Sequence, residues 1–399
     1  MAVNLSEPDF LAPVVGLRLA STRAIGRRRD DLTVMALDSG ATVCGVFTQN
    51  KFAAPPVAVC RTHLKQPSAG GIRGLAINAG IANAGTLGEG LKDAQESCRQ
   101  LAGLLKCPAR DILPFSTGVI MERLPMESYK KGLTRCVTQL REDNWLAAAH
   151  AIMTTDTVAK GKSRTLKISN RRFTVTGIAK GSGMIHPNMA TMLAFVATDA
   201  AVSPAKLSLW QRQIAADTFN AISVDGDTST NNSFVLIATG KAGKIQNEGT
   251  LKQAIFEVCE HLAEAIVRDG EGAEKLITIR VHGGKTRAVC RQVAETMAIS
   301  PLVKTALAAG DANVGRFLMA IGNAGDGFSP QKTTLSIGKT PVIRAGGIDP
   351  RYDELRTTKQ LAKKEVLIEI GLGNGKNEVI LKTCDLTHRY IEINADYRS

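Results

Sequence analysis

Apolar residues in this chain fall into short runs divided by glycine-rich turns, with longer stretches at helical spacing between them. Short apolar runs bounded by turn residues read as buried strands, and a repeat near 3.6 residues reads as a helix. Strands are expected at 41–47, 56–60 and 173–178. Residues 75–78 run apolar into Asn78-Ala79-Gly80-Ile81-Ala82-Asn83-Ala84-Gly85, a turn of small residues. Helical spacing marks 91–105 and 145–153, the second ending at Thr154-Thr155-Asp156-Thr157. Ser116-Thr117-Gly118-Val119-Ile120 reads as a turn after a strand-like approach.

The second half opens on the buried run 192–197. Ser203 and Pro204 suit an N-cap and a first helical turn, for a helix reaching about 222. A polar loop over 223–231 leads to a strand at 234–238, a helix at 251–268 and a strand at 276–281. Residues 286–309 read as helical, broken near Ser300-Pro301. The last part is richer in strands, at 333–337, 341–344, 366–370, 378–383 and 390–394, with one helix near 352–361. Without repeat or low-complexity linker, this order predicts an α/β protein whose halves pack tightly.

Composition narrows the class. The 399 residues are 44% hydrophobic and 22% charged, as in a globular protein. Aromatics make up only 4%, so aliphatic side chains must build the core. No apolar run nears the roughly 18 residues that cross a bilayer. Residues 1–12 carry Glu7 and Asp9 and lack a basic-then-apolar signal pattern, so a cytoplasmic location without membrane contact is expected. Eight scattered cysteines form no Cys-x-x-Cys pair, and the six histidines have no ligand spacing. No metal or cofactor is therefore expected. Net charge is +13, but the basic residues are dispersed, and Arg27-Arg28-Arg29 runs straight into Asp30-Asp31. A solvated basic surface is the default reading of that pattern, a field gathering carboxylate substrates the second, and no nucleic-acid module is recognisable.

One segment stands out: Lys180-Gly181-Ser182-Gly183-Met184-Ile185-His186-Pro187-Asn188-Met189-Ala190-Thr191-Met192-Leu193. Its glycines and Pro-Asn bend form a loop. The loop delivers a threonine hydroxyl to the head of a core strand. A plain connecting loop would show the same composition. The order of residues closely resembles the self-cleavage segment of the ornithine acetyltransferase family, the bifunctional glutamate N-acetyltransferases of arginine biosynthesis. Ile393-Asn394-Ala395-Asp396-Tyr397-Arg398-Ser399 resembles that family's terminus, and Gly45-Val46-Phe47-Thr48 and Asp225-Gly226-Asp227-Thr228 extend the likeness over nearly the whole chain.

The resemblance implies an N-terminal-nucleophile acyltransferase of the ornithine acetyltransferase / D-aminopeptidase type. It would be cut between Ala190 and Thr191 into fragments 1–190 and 191–399, the second strand-rich from about 330. Thr191 would be the nucleophile. Its freed α-amine, with an ordinary pKa of about 7.7–8.0, can act as a local base. Thr117 and Gly118 would form the oxyanion hole. Thr154, Lys180, Thr191, Glu271, Asn394 and Ser399 would bind substrate. Acetyl would pass from N-acetylornithine to glutamate, with acetyl-CoA left open as a second donor and a heterotetramer of two copies of each fragment as the assembly. A related aminopeptidase or amidohydrolase is the alternative. Met121, His186, Glu274 and Val314 depart from residues common in the family, as does Gly85.

Overall fold

The computed structural model describes residues 2–168, 170–186 and 192–396. Its elements build three sheets. In the four-stranded sheet, Leu17–Thr22 pairs antiparallel with Leu32–Leu37, which pairs antiparallel with Gly74–Ile81; Ile112–Val119 lies parallel beside the last. The five-stranded sheet runs Thr42–Phe47, Ser233–Lys244, Leu193–Ala201, Arg171–Lys180 and Lys160–Ile168. These two sheets pack face to face. Leu19, Met35, Leu75, Ile77 and Leu113 of one meet Ile178, Leu193, Phe195, Val235 and Ile237 of the other. Phe115 and Phe195 close the seam edge-to-face, centroids 5.1 Å apart at 87°.

Each sheet covers its outer face with helices. Ala94, Cys98 and Leu101 of Leu87–Leu105 and Tyr129, Leu133 and Cys136 of Met126–Thr138 pack on the four-stranded sheet. Helices Pro204–Asp217 and Glu248–Arg268 cover the five-stranded one through Trp210, Ile214, Ile255, Val258, Leu262 and Ile266. The result is four layers: helix, sheet, sheet, helix. Strands Leu193–Ala201 and Ser233–Lys244 lie between layers, which explains their unbroken apolar runs.

The third, six-stranded sheet centres on Leu276–Gly284, flanked by Glu365–Gly371 and Asn377–Cys384. Helices Arg287–Ile299, Pro301–Ala309, Val314–Gly322 and Glu354–Leu361 pack on one of its faces. Its other face carries Arg280 between Glu369 and Glu378, at 3.0 and 2.7 Å. The mixed α/β class read from the sequence is the class observed.

Several elements differ from expectation. Residues 56–60 lie in a helix, Pro55–Lys65, not a strand. Its two prolines occupy the first turn, where no amide hydrogen bond is lost. Its buried residues, Pro56, Val57, Val59 and Cys60, follow helical spacing. Residues 116–119 end the strand Ile112–Val119 instead of forming a free turn. Helix Pro204–Asp217 stops short of 222, with a separate turn of 3-10 helix at Phe219–Ala221. Ser203 holds the N-cap position in extended backbone, but its side chain makes no cap bond. Residues 390–394 belong to a helix, His388–Asp396. All eight cysteines are free thiols, six of them buried. Among the described residues, no helix is long and apolar enough to cross a membrane, and no cluster of His, Cys, Asp and Glu could hold a metal.

Candidate active site

A cavity of about 320 Å³ opens where the ends of strands from both packed sheets meet the loops of the second half. Thr117, Gly118, Thr154, Lys180, Glu271 and Asn394 line it. Six residues picked from the sequence, spread over almost three hundred positions, thus line one cavity. Ala190, Thr191 and Ser399 lie outside the described residues. The described chain runs up to His186 and resumes at Met192, whose carbonyl accepts from Ser233 N at 3.0 Å. Leu193 then pairs with Lys180 on one side and Ser233 on the other.

Thr117 and Gly118 stand at the C-terminal end of Ile112–Val119, in parallel register with Ala79 and Gly80. Gly118 has φ +129°, and a Cβ there would lie 2.1 Å from the Gly80 carbonyl carbon. Only glycine fits that approach. Neighbouring polar groups are engaged in holding the strand ends. Ser116 Oγ donates to Asn78 Oδ1 at 2.7 Å, and Asn231 Nδ2 donates to the carbonyls of Ala82 and Ser116 at 2.6 and 2.9 Å. Among the described residues Thr117 Oγ1 has no hydrogen-bond partner, so this hydroxyl is available to a ligand.

Thr154 follows the helix Trp145–Ala151. The carbonyls of Met153 and Thr154 accept from Arg29 Nη2, both at 2.8 Å, and Arg27 Nη1 donates to Met153 O at 2.8 Å. Two guanidiniums therefore answer the negative end of that helix and fix the turn. Thr155 beside it exchanges a 2.7 Å hydrogen bond with Ser182.

Lys180 ends the strand Arg171–Lys180 with its side chain 4% exposed. Its Nζ lies 4.0 Å from Asp156 Oδ2. Burial pulls the Lys180 ammonium below its usual range and Lys160 and Arg27 act the same way, while Asp156 and Glu271 oppose them. Asp156 is itself wholly buried. Burial alone would push its carboxyl up, but the Lys160 and Lys180 ammoniums outweigh it and hold the group below the usual carboxylate range.

Glu271 comes from the turn after helix Glu248–Arg268. Its amide donates to Ser182 O at 2.8 Å, and a Cβ on Gly183 would lie 2.4 Å from its carboxylate. Asn394 Nδ2 donates to Glu271 Oε2 at 2.8 Å. One turn earlier on the same helix, Tyr390 Oη donates to Asp225 Oδ2 at 3.3 Å. Asp225 also accepts from the amides of Met184 and Ile185, at 2.6 and 2.9 Å, and burial pushes its carboxyl up.

The cavity includes residues the sequence did not single out as a site: Thr155, Gly183, Met184, Asp225, Asp227, Thr228 and Tyr390. Asp225, Asp227 and Thr228 stood in a recognised motif without an assigned role, and Tyr390 was placed in a strand. A second cavity, of about 360 Å³, lies between Asp217, Phe256, Glu260, Arg287 and Lys382 and shares no residue with this one. The departures lie around or away from the site. Among the described residues His186 Nδ1 is buried with no hydrogen-bond partner, Met121 is exposed at φ +71°, Glu274 N donates to Asp385 at 2.9 Å, and Val314 starts a helix.

The cavity thus offers a cation, a carboxylate and threonine hydroxyls, with the Gly118 backbone in its lining. Such a set suits a zwitterionic small molecule with a reacting carbonyl. The model of the ArgJ family matches residues 18–399. Among solved structures, the chain is similar to the arginine biosynthesis bifunctional protein argJ of Bacillus halodurans, 36% identical over 51% of this chain and 98% of that one, with a TM-score of 0.49. It is similar also to ornithine acetyltransferase of Mycobacterium tuberculosis, complexed with ornithine, 30% identical over 46% of this chain and 94% of that one, with a TM-score of 0.38. The L-aminopeptidase D-Ala-esterase/amidase of Ochrobactrum anthropi is 10% identical over 71% of this chain and 91% of that one, with a TM-score of 0.40. On the strength of a family match spanning nearly its whole length, the chain belongs to the ArgJ family of arginine-biosynthesis acetyltransferases.

Proposed function

We propose that this chain is a self-processing acetyltransferase that carries acetyl from N-acetylornithine to glutamate on Thr191. The supporting observation is the convergence of Thr117, Gly118, Thr154, Lys180, Glu271 and Asn394 on one cavity, beside the strand that begins just after Thr191. In the processing step, Thr191 Oγ attacks the Ala190 carbonyl, the amide becomes an ester, and water releases residues 1–190. The new α-amine of Thr191 then takes the hydroxyl proton as the threonine attacks the donor's acetyl carbonyl. Ornithine leaves, glutamate's amine attacks the acetyl-threonine ester, and N-acetylglutamate departs with the threonine hydroxyl restored.

Each neighbouring group has a task. The Thr117 hydroxyl and Gly118 amide stabilise the oxyanion of each tetrahedral intermediate. Lys180 pairs with the α-carboxylate shared by both amino acids. Glu271, held by Asn394, takes the ammonium of ornithine. Thr154 and Ser399 complete the substrate contacts. Two copies of each fragment form the assembly in the cytoplasm. In the Thr191→Ala variant a denaturing gel should show one uncut chain, and ornithine release should vanish. Two bands from that variant would remove this cleavage site.

A further inference from the structure

A second layer of charge lies behind Lys180, and none of it touches the cavity. Lys160 Nζ sits between two carboxylates, 2.7 Å from Asp156 Oδ1 and 2.6 Å from Asp269 Oδ2. The three side chains are 0%, 0% and 1% exposed. Fixed donors surround both carboxylates. Asp156 accepts from Thr154 N at 2.9 Å and Gly181 N at 2.7 Å. Asp269 accepts from Thr157 N at 2.9 Å and Val158 N at 3.3 Å, and the Thr157 hydroxyl donates to it as well.

Isolated buried charges are costly, so such groups are balanced by partners. Asp156, Asp269 and Lys160 by themselves leave one negative charge over. Lys180 is the cation that balances it. It does so across 4.0 Å, with no hydrogen bond to its Nζ among the described residues. Three of the roughly four acceptor sites of Asp156 are taken, by Lys160 and two amides, and the last lies beyond hydrogen-bond reach of Lys180. The array therefore supplies Lys180 with a countercharge and leaves its N–H donors unused.

We propose that Asp156, Lys160 and Asp269 are positioning residues. Together they keep Lys180 a cation at a buried position and hold its N–H groups for the carboxylate of the incoming amino acid. The recognition half of this statement rests on the transferase reading, in which Lys180 meets that carboxylate. The electrostatic half does not. The groups acting on Lys180 are Asp156 and Lys160 behind it, Glu271 across the cavity, and Arg27 beside Thr154.

The array makes a prediction of opposite signs. Asp156→Asn leaves one carboxylate for two ammoniums and should move the Lys180 titration down. Lys160→Met leaves two carboxylates for one ammonium and should move it up. NMR of isotope-labelled lysine in the full chain reads this directly, with the resonance assigned by its absence in Lys180→Met. In kinetics, Asp156→Asn should raise KM for glutamate about 10-fold or more at pH 8, the value of a charge-assisted hydrogen bond. Lowering the pH should restore KM, because the proton returns. In Lys160→Met the freed Asp156 acceptor competes for Lys180, so a rise in KM there should not be relieved by lowering the pH.

Shifts in the same direction for both variants, or no shift in either, would overturn the proposal. Should Asp156→Asn fail to fold, the pair Asp156→Asn with Lys160→Met restores the balance, and its Lys180 should titrate near the parent value; a large displacement there counts against the array. Opposed NMR shifts in a protein without acetyl transfer would defeat the transferase reading and leave the electrostatics standing.

Discussion

Thr117 and Gly118 are adjacent yet should fail in different ways. Thr117 Oγ1 holds no structural hydrogen bond among the described residues, so Thr117→Ala should fold normally. If its hydroxyl serves the oxyanion, cleavage and turnover should both fall roughly 10²-fold. Gly118→Ala forces a Cβ to 2.1 Å from Gly80 on backbone at φ +129°. It should lower the melting temperature by several degrees, since left-handed backbone alone costs about 1–2 kcal/mol for an L-residue. Stopped activity in Gly118→Ala at an unchanged melting temperature would contradict this reading. At this scale the sequence spoke through motifs. Lys180 and Glu271 were readable because each sits in a recognisable segment. The array behind them was not, because the Lys160 to Asp269 pair spans 109 residues and no local pattern announces such a contact.

Elements were legible where tertiary burial and local pattern agreed. The first five residues of Leu193–Ala201 are apolar without a break because the strand is covered on both faces. The break at Ser300-Pro301 was visible because proline removes an amide donor, and Ser300 caps the second helix through Val303 N at 3.3 Å. The terminal helix His388–Asp396 was misread as a strand. Ile391 and Ile393 alternate with polar residues, which imitates a strand, yet Ile391 is exposed and the helix buries no residue fully. It is held by Thr387 Oγ1 to Gly272 O at 2.7 Å, Tyr390 to Asp225 and Asn394 to Glu271. So few contacts add little stability while closing one wall of the cavity. A chain ending at Thr387 should melt within a few degrees of the full chain. Its KM for amino-acid substrates should rise at least about 10-fold, because two polar cavity residues go with the helix. A collapse in melting temperature would mean the helix carries the fold.

The whole molecule should respond to acid in two stages. Asp199, Asp225 and Asp385 are pushed up by burial. Each costs stability when ionised, and that cost is relieved as the pH falls through its raised native value. Asp156 is held below its ordinary range, so its contribution is fully present above an unfolded pKa of about 3.9 and is lost below it. Melting temperatures taken from pH 7 to pH 3 should therefore hold or rise slightly at first and then drop steeply below about pH 4. A monotonic decline starting at pH 7 would show other groups in control. The order of strands in the five-stranded sheet has a last consequence. On the proposed cut before Thr191, Thr42–Phe47, Arg171–Lys180 and Lys160–Ile168 would belong to one polypeptide, and Ser233–Lys244 and Leu193–Ala201 to the other. The two halves are braided, joined by ladders on either side of the central pair. Neither can be made alone without baring a raw strand edge to its neighbours in solution. Genes for the separate halves should therefore yield soluble protein only when expressed in the same cell.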